Sequence, residues 1–254
     1  MRPAAVHGYE GSPATGIRMY RGDALRVMRR LEAGVYDAII TDPPYAAGVS
    51  LAAKGAGTAT KYCDNKRANP LPDFDGDGMD QRTWTLLMAD VLREGRRLCK
   101  PGAVCALFID WRMLPSLTDA MQRAGWIWRG VAVWDKLTSR PQKGRFRQQA
   151  EFIAWGSAGR LSVNRPVPVL PGVFRHANVA ANERLHQVQK PLELMAEVLK
   201  ICVPGGRVLD PFAGSGSTLL AAARLGLTAD GIESSPAIAQ TAADRLGVKL
   251  TEEV

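Results

Sequence analysis

The sequence predicts an α/β fold, built on a mostly parallel sheet of seven strands with long loop insertions. Short apolar runs of the length of buried strands alternate with amphipathic helical segments along most of the 254 residues. Glycine or proline marks most of the boundaries between these segments. Such alternation is typical of helices that pack on a parallel sheet.

Composition indicates one globular domain, residues 1–254, with a polyanionic partner. The hydrophobic fraction of 46% is sufficient for a folded core, and no apolar run approaches the ~20 residues of a membrane helix. The N-terminal residues do not resemble a signal peptide, so we expect a cytoplasmic protein without membrane contact. The net charge of +8 suggests association with a polyanion, although it says nothing about the fold. The four cysteines have no metal-ligand spacing, so no metal site is expected.

The first predicted elements form a strand–helix–strand unit. A strand at Ile17–Tyr20 precedes a helix at Ala24–Leu31, for which Asp23 is a suitable N-cap. A second apolar strand follows at Asp37–Thr41. Units of this kind lead us to expect parallel pairing of the two strands.

Regular structure then disappears over residues 46–83, which we predict to be a flexible insertion loop. Its segment Asp73–Gly78 imitates the first half of an EF-hand calcium loop. The twelfth position, which requires a bidentate glutamate, is Trp84. We therefore interpret this segment as an acidic turn.

The second half of the chain returns to alternating elements. Lys100–Gly102 is predicted to end a helix, and residues 156–182 are predicted to be irregular. The predicted helices are Trp84–Leu98, Met113–Ala124, one from His186–Pro191 to about Cys202, Thr218–Leu225 and Pro236–Leu246. The predicted strands are Ala103–Ile109, Val131–Trp134, Glu151–Trp155, Arg207–Leu209 and Thr228–Ile232.

The tetrapeptide Asp42-Pro43-Pro44-Tyr45 follows the second strand directly. Two consecutive prolines cannot continue a central sheet ladder, so the strand must end there. A carboxylate, a stiff corner and an aromatic ring are thus presented at the carboxyl end of a strand, where open α/β sheets bind their ligands. Taken alone, four residues favour an ordinary proline turn, because short motifs often match by chance. A second stretch far downstream, Asp210–Thr218, reverses this preference.

A glycine-rich turn, Asp210–Thr218, lies between a predicted strand and a predicted helix, as in nucleotide-binding units. Glu233 ends the next strand about twenty residues on, where an acid that binds ribose hydroxyls is expected. No lysine precedes Ser217-Thr218, which argues against a phosphate-binding P-loop. The third glycine of a dinucleotide loop is replaced by Leu219. A cofactor with ribose and adenine but no pyrophosphate fits better, which points to S-adenosyl-L-methionine.

These motifs occur in one chain order that resembles the amino-group DNA methyltransferases of the permuted class, in which the catalytic motif precedes the cofactor motif. The resemblance extends from about Arg18 to Leu246, and small members encoded by bacteriophages are most similar across Trp134–Trp155. It implies a circularly permuted, Rossmann-like methyltransferase fold. It also implies that the protein acts on double-stranded DNA, and the family often forms homodimers. The motifs that carry it are Gly22-Asp23, Asp42–Tyr45, Trp134-Asp135-Lys136, Gln189-Lys190-Pro191, Asp210–Thr218 and Glu233.

By this resemblance each motif acquires a role. The catalytic residues would be Asp42, Pro43, Pro44 and Tyr45, with Tyr45 stacking on the base. The residues around the cofactor would be Asp23, Ala24, Asp42, Lys190, Pro191, Asp210, Pro211, Phe212, Ala213, Gly214, Ser215, Gly216, Thr218 and Glu233. Alternatively, Asp23 would only cap a helix and Lys190 would be a solvated surface charge.

Target recognition is assigned to residues 137–182, which contain a basic stretch. Lysine and arginine can neutralise phosphates or pair with guanine edges. The candidate DNA-binding residues are Lys136, Arg140, Lys143, Arg145 and Arg147.

The expected reaction is methylation of adenine N6 in duplex DNA, with the target base flipped out of the helix. Aspartate at the start of the motif is commoner in the resembling family with adenine, and serine with cytosine N4. Cytosine N4 is the main alternative. Methyl transfer to RNA or protein and a catalytically silent DNA-binding protein are further alternatives.

Overall fold

The computed structural model describes residues 16–44, 79–139, 143–179 and 190–252. Within these ranges, nine strands form one sheet in the order β6-β4-β5-β3-β2-β7-β8-β1-β9. The strands are β1 (Ile17–Arg21), β2 (Tyr36–Thr41), β3 (Cys99–Ile109), β4 (Ile127–Asp135), β5 (Ala150–Ser157), β6 (Val173–Arg175), β7 (Arg207–Asp210), β8 (Thr228–Glu233) and β9 (Leu250–Glu252). The helices are α1 (Ala24–Arg30), α2 (Gln81–Leu98), α3 (Leu114–Arg123), α4 (Leu192–Leu199), α5 (Ser217–Arg224) and α6 (Pro236–Leu246).

The α/β prediction is confirmed, with helices on both faces of the sheet. Alternate residues of β2 point to opposite faces: Ala38 and Ile40 pack with α4, α5 and α6, whereas Ile39 packs with α1, α2 and α3. Gly95 lets α2 approach β2 closely, because a Cβ at this position would lie 2.3 Å from the Ile39 Cδ1 atom. The two cores therefore fill both sides of the central strands, as expected for a largely parallel sheet.

The number of strands differs from the predicted seven. The two additional strands, β6 and β9, are three residues long and form the edges of the sheet. β6 lies within residues 156–182, which were predicted to be irregular. Strands this short carry too little periodicity to be recognised before their neighbours are known.

Several boundaries also require correction. The Lys100–Gly102 segment was predicted to separate a helix from a strand, but α2 already ends at Leu98 and this segment lies inside β3. Residues 81–83 were assigned to the insertion loop 46–83 but form the first turn of α2, because Asp80 caps that helix. The rest of the insertion up to residue 78, including the acidic turn Asp73–Gly78, lies outside the described residues.

The predicted pairing of β1 with β2 is wrong, because β7 and β8 lie between them. β2 pairs in parallel with β3 and β7, and β1 pairs in parallel with β8 and β9. The buried Asp230 on β8 accounts for part of this order: its carboxylate lies 2.7 Å from Arg18 Nε of β1 and 2.7 Å from Arg207 Nη2 of β7. Tyr36 Oη donates to the same carboxylate at 2.5 Å.

Strand directions gather distant segments at one edge of the sheet. β1, β2, β3, β7 and β8 are mutually parallel, and β4 runs in the same direction because β5 is antiparallel to both β3 and β4. The carboxyl ends of these six strands and the beginning of β5 therefore lie along the same edge. No helix in the described ranges is long and apolar enough to cross a membrane.

Candidate active site

The two predicted motifs meet at this edge because β2 and β7 are neighbours. β2 ends at Thr41, directly before Asp42, and β7 ends at Asp210, the first residue of the glycine-rich turn. Thr41 Oγ1 donates to Asp210 Oδ1 at 2.5 Å, across a sequence separation of 169 residues. The structure thus joins the end of β2, before the predicted catalytic motif, to the end of β7, where the predicted cofactor motif begins.

The proline corner is held by the helix that follows the insertion. Trp84 Nε1 of α2 donates to the carbonyl oxygen of Pro44 at 2.6 Å. Trp84 is almost fully buried, so its indole provides a rigid anchor. The direction in which the chain leaves Asp42 is thereby set. Tyr45 lies outside the described residues.

Asp210 is buried and heavily hydrogen-bonded. Besides Thr41, the backbone N–H of Phe212 donates to Oδ1 at 3.1 Å, and the Thr218 hydroxyl also bonds to the carboxylate. Burial raises the pKa of Asp210 to about 6, although these three hydrogen bonds act in the opposite direction. Its principal role in the described structure is to tie β2, the turn and α5 together.

The raised pKa predicts a specific pH dependence of stability. Because the folded-state pKa of about 6 exceeds the ordinary 3.8, the stabilising contribution of this carboxyl is complete below pH ~4 and is lost as the pH rises through ~6. The free energy of unfolding should therefore fall over this window by on the order of 3 kcal/mol more for the wild type than for Asp210→Asn. Urea titrations of both proteins between pH 4 and 7 measure the difference. If the free energies of unfolding of the two proteins change with pH in parallel, the raised pKa of Asp210 is contradicted.

The glycine-rich turn has the backbone shape that its sequence requires. Gly214 and Gly216 have φ angles of 52° and 80°, in the left-handed region. A Cβ on Gly216 would also lie 3.1 Å from Leu246 Cδ1 of α6, whereas none of the described atoms lies within 4 Å of a Cβ built on Gly214. The turn is therefore packed on its Gly216 side and has open space at Gly214. The neighbouring Ala213 and Ser215 are buried, and Phe212 and Pro211 precede them.

Glu233 closes this turn from β8. Its carboxylate accepts the N–H of Gly214 at 3.1 Å and the N–H of Ser235 at 2.8 Å. Burial raises the pKa of Glu233 above its ordinary value, against the effect of these backbone hydrogen bonds. The acid at the end of β8 is thus next to the open side of the turn, as the predicted spacing required.

The structure bears differently on the two alternatives raised for Asp23 and Lys190, a helix cap and a solvated surface charge. Asp23 caps α1 as predicted, because its Oδ1 accepts the N–H of Arg26 at 3.0 Å, and Ala24 begins that helix. Lys190 is not a solvated surface charge: it is buried, and its Nζ lies 2.5 Å from Asp42 Oδ2. Pro191 then precedes α4 as its N-cap residue.

Glu151 was not recognised from the sequence as part of the site. It is buried at the beginning of β5, where Oε1 lies 2.8 Å from Lys190 Nζ and Oε2 lies 2.7 Å from Lys136 Nζ. The only local signal was an acid at the start of an otherwise apolar strand. Its relevance depends on the antiparallel direction of β5, which places the beginning of this strand beside Asp42.

The candidate DNA-binding residues fall into two groups. Lys136 is held by Glu151, with its Nζ 5.1 Å from the centre of the Trp134 ring. Lys143, Arg145 and Arg147 are exposed in the segment between β4 and β5, together with Phe146, whose side chain is 99% exposed. Arg140 lies outside the described residues.

The chain is similar in sequence or fold to several methylases and DNA methyltransferases. YubD of Escherichia coli (strain K12), a proposed methylase, is 29% identical over 219 residues, covering 85% of this chain and 84% of that protein. The M1.HpyAVI–SAM complex has a similar fold, with a TM-score of 0.68 and 24% identity over 91% of this chain and 100% of that one. The cytosine-N4-specific PvuII DNA methyltransferase shares the fold at a TM-score of 0.67 and 15% identity, over 96% of this chain and 98% of its own.

The match to a family model covers most of the chain. The DNA methylase model aligns with residues 36–244, a range that contains Asp42, Glu151, Lys190 and the whole unit from Asp210 to Glu233. The chain therefore belongs to the N6/N4 family of DNA methylases.

Proposed function

We propose that this DNA methyltransferase transfers a methyl group from S-adenosylmethionine to the N6 amino group of adenine in duplex DNA. The observation that carries the proposal is the junction of Asp42 with the cofactor motif, made by the Thr41–Asp210 hydrogen bond of 2.5 Å. A carboxylate for the target amine and a turn for the methyl donor are thereby adjacent. The chain order of the two motifs supports the proposal that the protein is of the permuted class.

The turn fits S-adenosylmethionine in its chemistry. The open space at Gly214 lets a ligand approach the backbone, and Glu233 offers a carboxylate to ribose hydroxyls. Asp210, Phe212 and Gly216 shape the part of the turn that would surround the methionine end, and Asp23 would accept from the adenine amine. When bound, this cofactor supplies a methyl group that an amine can attack directly. Transfer requires no covalent enzyme intermediate, and the three described cysteines are buried core residues.

Asp42 would act on the nucleophile. An exocyclic amine is weakly nucleophilic because its lone pair is delocalised into the base ring. A carboxylate that accepts a hydrogen bond from the amine favours a more pyramidal nitrogen and stabilises the positive charge that develops there. Alignment of the amine with the methyl group is then chiefly a matter of positioning. The base would reach this site by flipping out of the duplex, and Tyr45 would stack on it.

We infer that the target base is adenine and not cytosine for two reasons. The motif begins with Asp42, and the family resemblance across Trp134–Trp155 points to adenine enzymes. Both bases carry an exocyclic amine beside a ring nitrogen, so the same carboxylate could serve either. A pocket fitted to a purine should accept the smaller pyrimidine poorly, because part of the base–aromatic stacking, which contributes ~1–3 kcal/mol per base, would be lost. The decisive measurement is nucleoside mass spectrometry of duplex DNA after incubation with enzyme and S-adenosylmethionine. N6-methyladenine is expected, whereas N4-methylcytosine alone would show that the chosen base is wrong.

The exposed segment Lys143–Arg147 is proposed to contact DNA. Neutralising Lys143, Arg145 and Arg147 together with Arg140 should lower affinity for duplex DNA and reduce its dependence on salt. Each lost phosphate contact removes nearly ~1 from the logarithmic salt slope. Fluorescence anisotropy of a labelled duplex at several salt concentrations measures both quantities. The control neutralises the same number of charges on the helices α1, α2 and α3, at Arg29, Arg93, Arg96 and Arg123. Equal slopes for the two variants would place the DNA elsewhere.

Oligomeric state is a separate expectation. The family resemblance includes homodimers, so we propose that the protein forms one, and light scattering of the purified protein gives its mass directly. The similarity to small bacteriophage members concerns origin and has no bearing on the chemistry.

A further inference from the structure

Beside Asp42 lies a chain of alternating charges that the proposed reaction does not use directly. It runs Asp42–Lys190–Glu151–Lys136, with successive nitrogen–oxygen distances of 2.5, 2.8 and 2.7 Å. The four residues come from the ends of β2 and β4, the residues before α4 and the beginning of β5. Two of the three pairs join residues that are distant in sequence. The third pair, Glu151 with Lys136, joins the two ends of the connection between β4 and β5.

The middle of this chain is buried. Glu151 and Lys190 are 6% and 8% exposed, and the Lys190 ammonium also lies 5.2 Å from the Phe108 ring centre and 5.8 Å from that of Trp134. Removing two charges from water is costly, and such pairs often contribute no more stability than apolar residues of similar size. Global stability is therefore a weak explanation for this arrangement.

In this row of four side chains, each buried charge lies between groups of opposite sign. Burial alone would raise the pKa of Glu151, but Lys190 and Lys136 lower it to about 2. Burial alone would likewise lower the pKa of Lys190, but Asp42 and Glu151 raise it above its ordinary value. Glu151 is therefore an anion and Lys190 a cation at neutral pH, in spite of their burial. A lysine side chain is flexible, and opposing carboxylates on two sides hold its ammonium in one place.

We propose that Glu151 is a positioning residue for methyl transfer. It holds the Lys190 ammonium against Asp42, so that the carboxylate meets the target amine in one orientation. Its second oxygen connects this arrangement to Lys136, at the start of the connection between β4 and β5 that contains the proposed DNA-contact segment Lys143–Arg147. The base of that segment is itself closed by the Lys136 N–H, which donates to the Gln149 carbonyl at 2.8 Å. The inference rests on the proposed function and adds a residue to the same site.

The first test is Glu151→Gln, which preserves the shape of the side chain but removes its charge. We expect kcat for DNA methylation to fall ~10–100-fold, the scale of a misplaced reacting group, with KM for DNA and Kd for S-adenosylmethionine changed less than about threefold. The matched control is Asp37→Asn, because Asp37 accepts from Lys100 Nζ at 2.8 Å at the opposite edge of the same sheet. Its kcat should equal that of the wild type. A wild-type kcat for folded Glu151→Gln would overturn the proposal.

A second test asks whether Glu151 acts through Lys190. In a double-mutant cycle with Lys190→Met, residues that act in series give non-additive effects. Adding Glu151→Gln to Lys190→Met should change kcat less than about twofold, whereas full additivity would show that Glu151 acts independently and would overturn the inference. If Glu151→Gln does not fold, Glu151→Asp keeps the charge but shortens its reach. Reduced kcat with unchanged KM is then expected, and full activity would overturn the inference.

The wild-type measurement separates the two levels of inference. If the wild type does not transfer labelled methyl groups to duplex DNA, the proposed function fails. If it does so and the Glu151 variants match it, only the positioning role of Glu151 fails.

Discussion

Replacing Asp42 by alanine is expected to reduce the rate of methyl transfer to duplex DNA at least ~100-fold, the scale of loss for a preorganised electrostatic group. Asp42 is the carboxylate at the end of β2, where its Oδ2 faces Lys190 Nζ at 2.5 Å. The variant would leave the target amine without an acceptor. It would not leave Lys190 without a counter-charge, because Glu151 remains 2.8 Å away. The loss should therefore appear in catalysis and not in folding.

Cofactor affinity should be almost unaffected in the same variant, since the proposed cofactor contacts lie mainly between Asp210 and Glu233. Transfer of labelled methyl groups measures the rate, and calorimetric titration with S-adenosylmethionine measures the affinity. Asp42→Asn is the matched variant, with the same shape but no charge, and it should be similarly slow. Turnover within a few-fold of the wild type in either variant would refute the catalytic assignment.

Replacing Glu233 by alanine is expected to weaken S-adenosylmethionine binding ~10-fold or more, because hydrogen bonds to a charged group contribute ~1.5–3 kcal/mol each. Two effects combine. The carboxylate proposed to bind the ribose hydroxyls is lost, and the N–H groups of Gly214 and Ser235 lose the acceptor that holds them at 3.1 and 2.8 Å. The turn would therefore bind its ligand with fewer contacts and from a less ordered start.

Calorimetric titration compares Glu233→Ala with two reference variants. Glu233→Gln keeps one acceptor oxygen for the turn and should give an intermediate affinity. Glu252→Ala removes a glutamate that pairs with Arg21 at the edge of the sheet, and should leave the affinity unchanged. Equal affinity in Glu233→Ala and the wild type would exclude Glu233 as the ribose ligand.

Local sequence patterns determined the class of the fold and the two main motifs. A carboxylate after an apolar strand indicated Asp42, because two prolines must end the strand there. The spacing between the glycine turn and Glu233 indicated a nucleotide-like ligand. Capping by Asp23 and the start of α6 at Pro236 could also be predicted, because these signals lie within a few residues of the helix that they begin.

The tertiary structure alone decided which strands are neighbours and which charges meet. Whether β1 pairs with β2 or with β8 depends on packing across the whole sheet, including the Asp230 carboxylate between Arg18 and Arg207. The sequence left open the alternative that Lys190 is a solvated surface charge, because burial of a lysine depends on counter-charges that are distant in sequence, such as Glu151 on β5. Hydrophobic periodicity predicts only whether a segment is a helix or a strand and which of its faces is buried. Contacts between segments more than 100 residues apart, such as Thr41 with Asp210, arise from the order and direction of the strands.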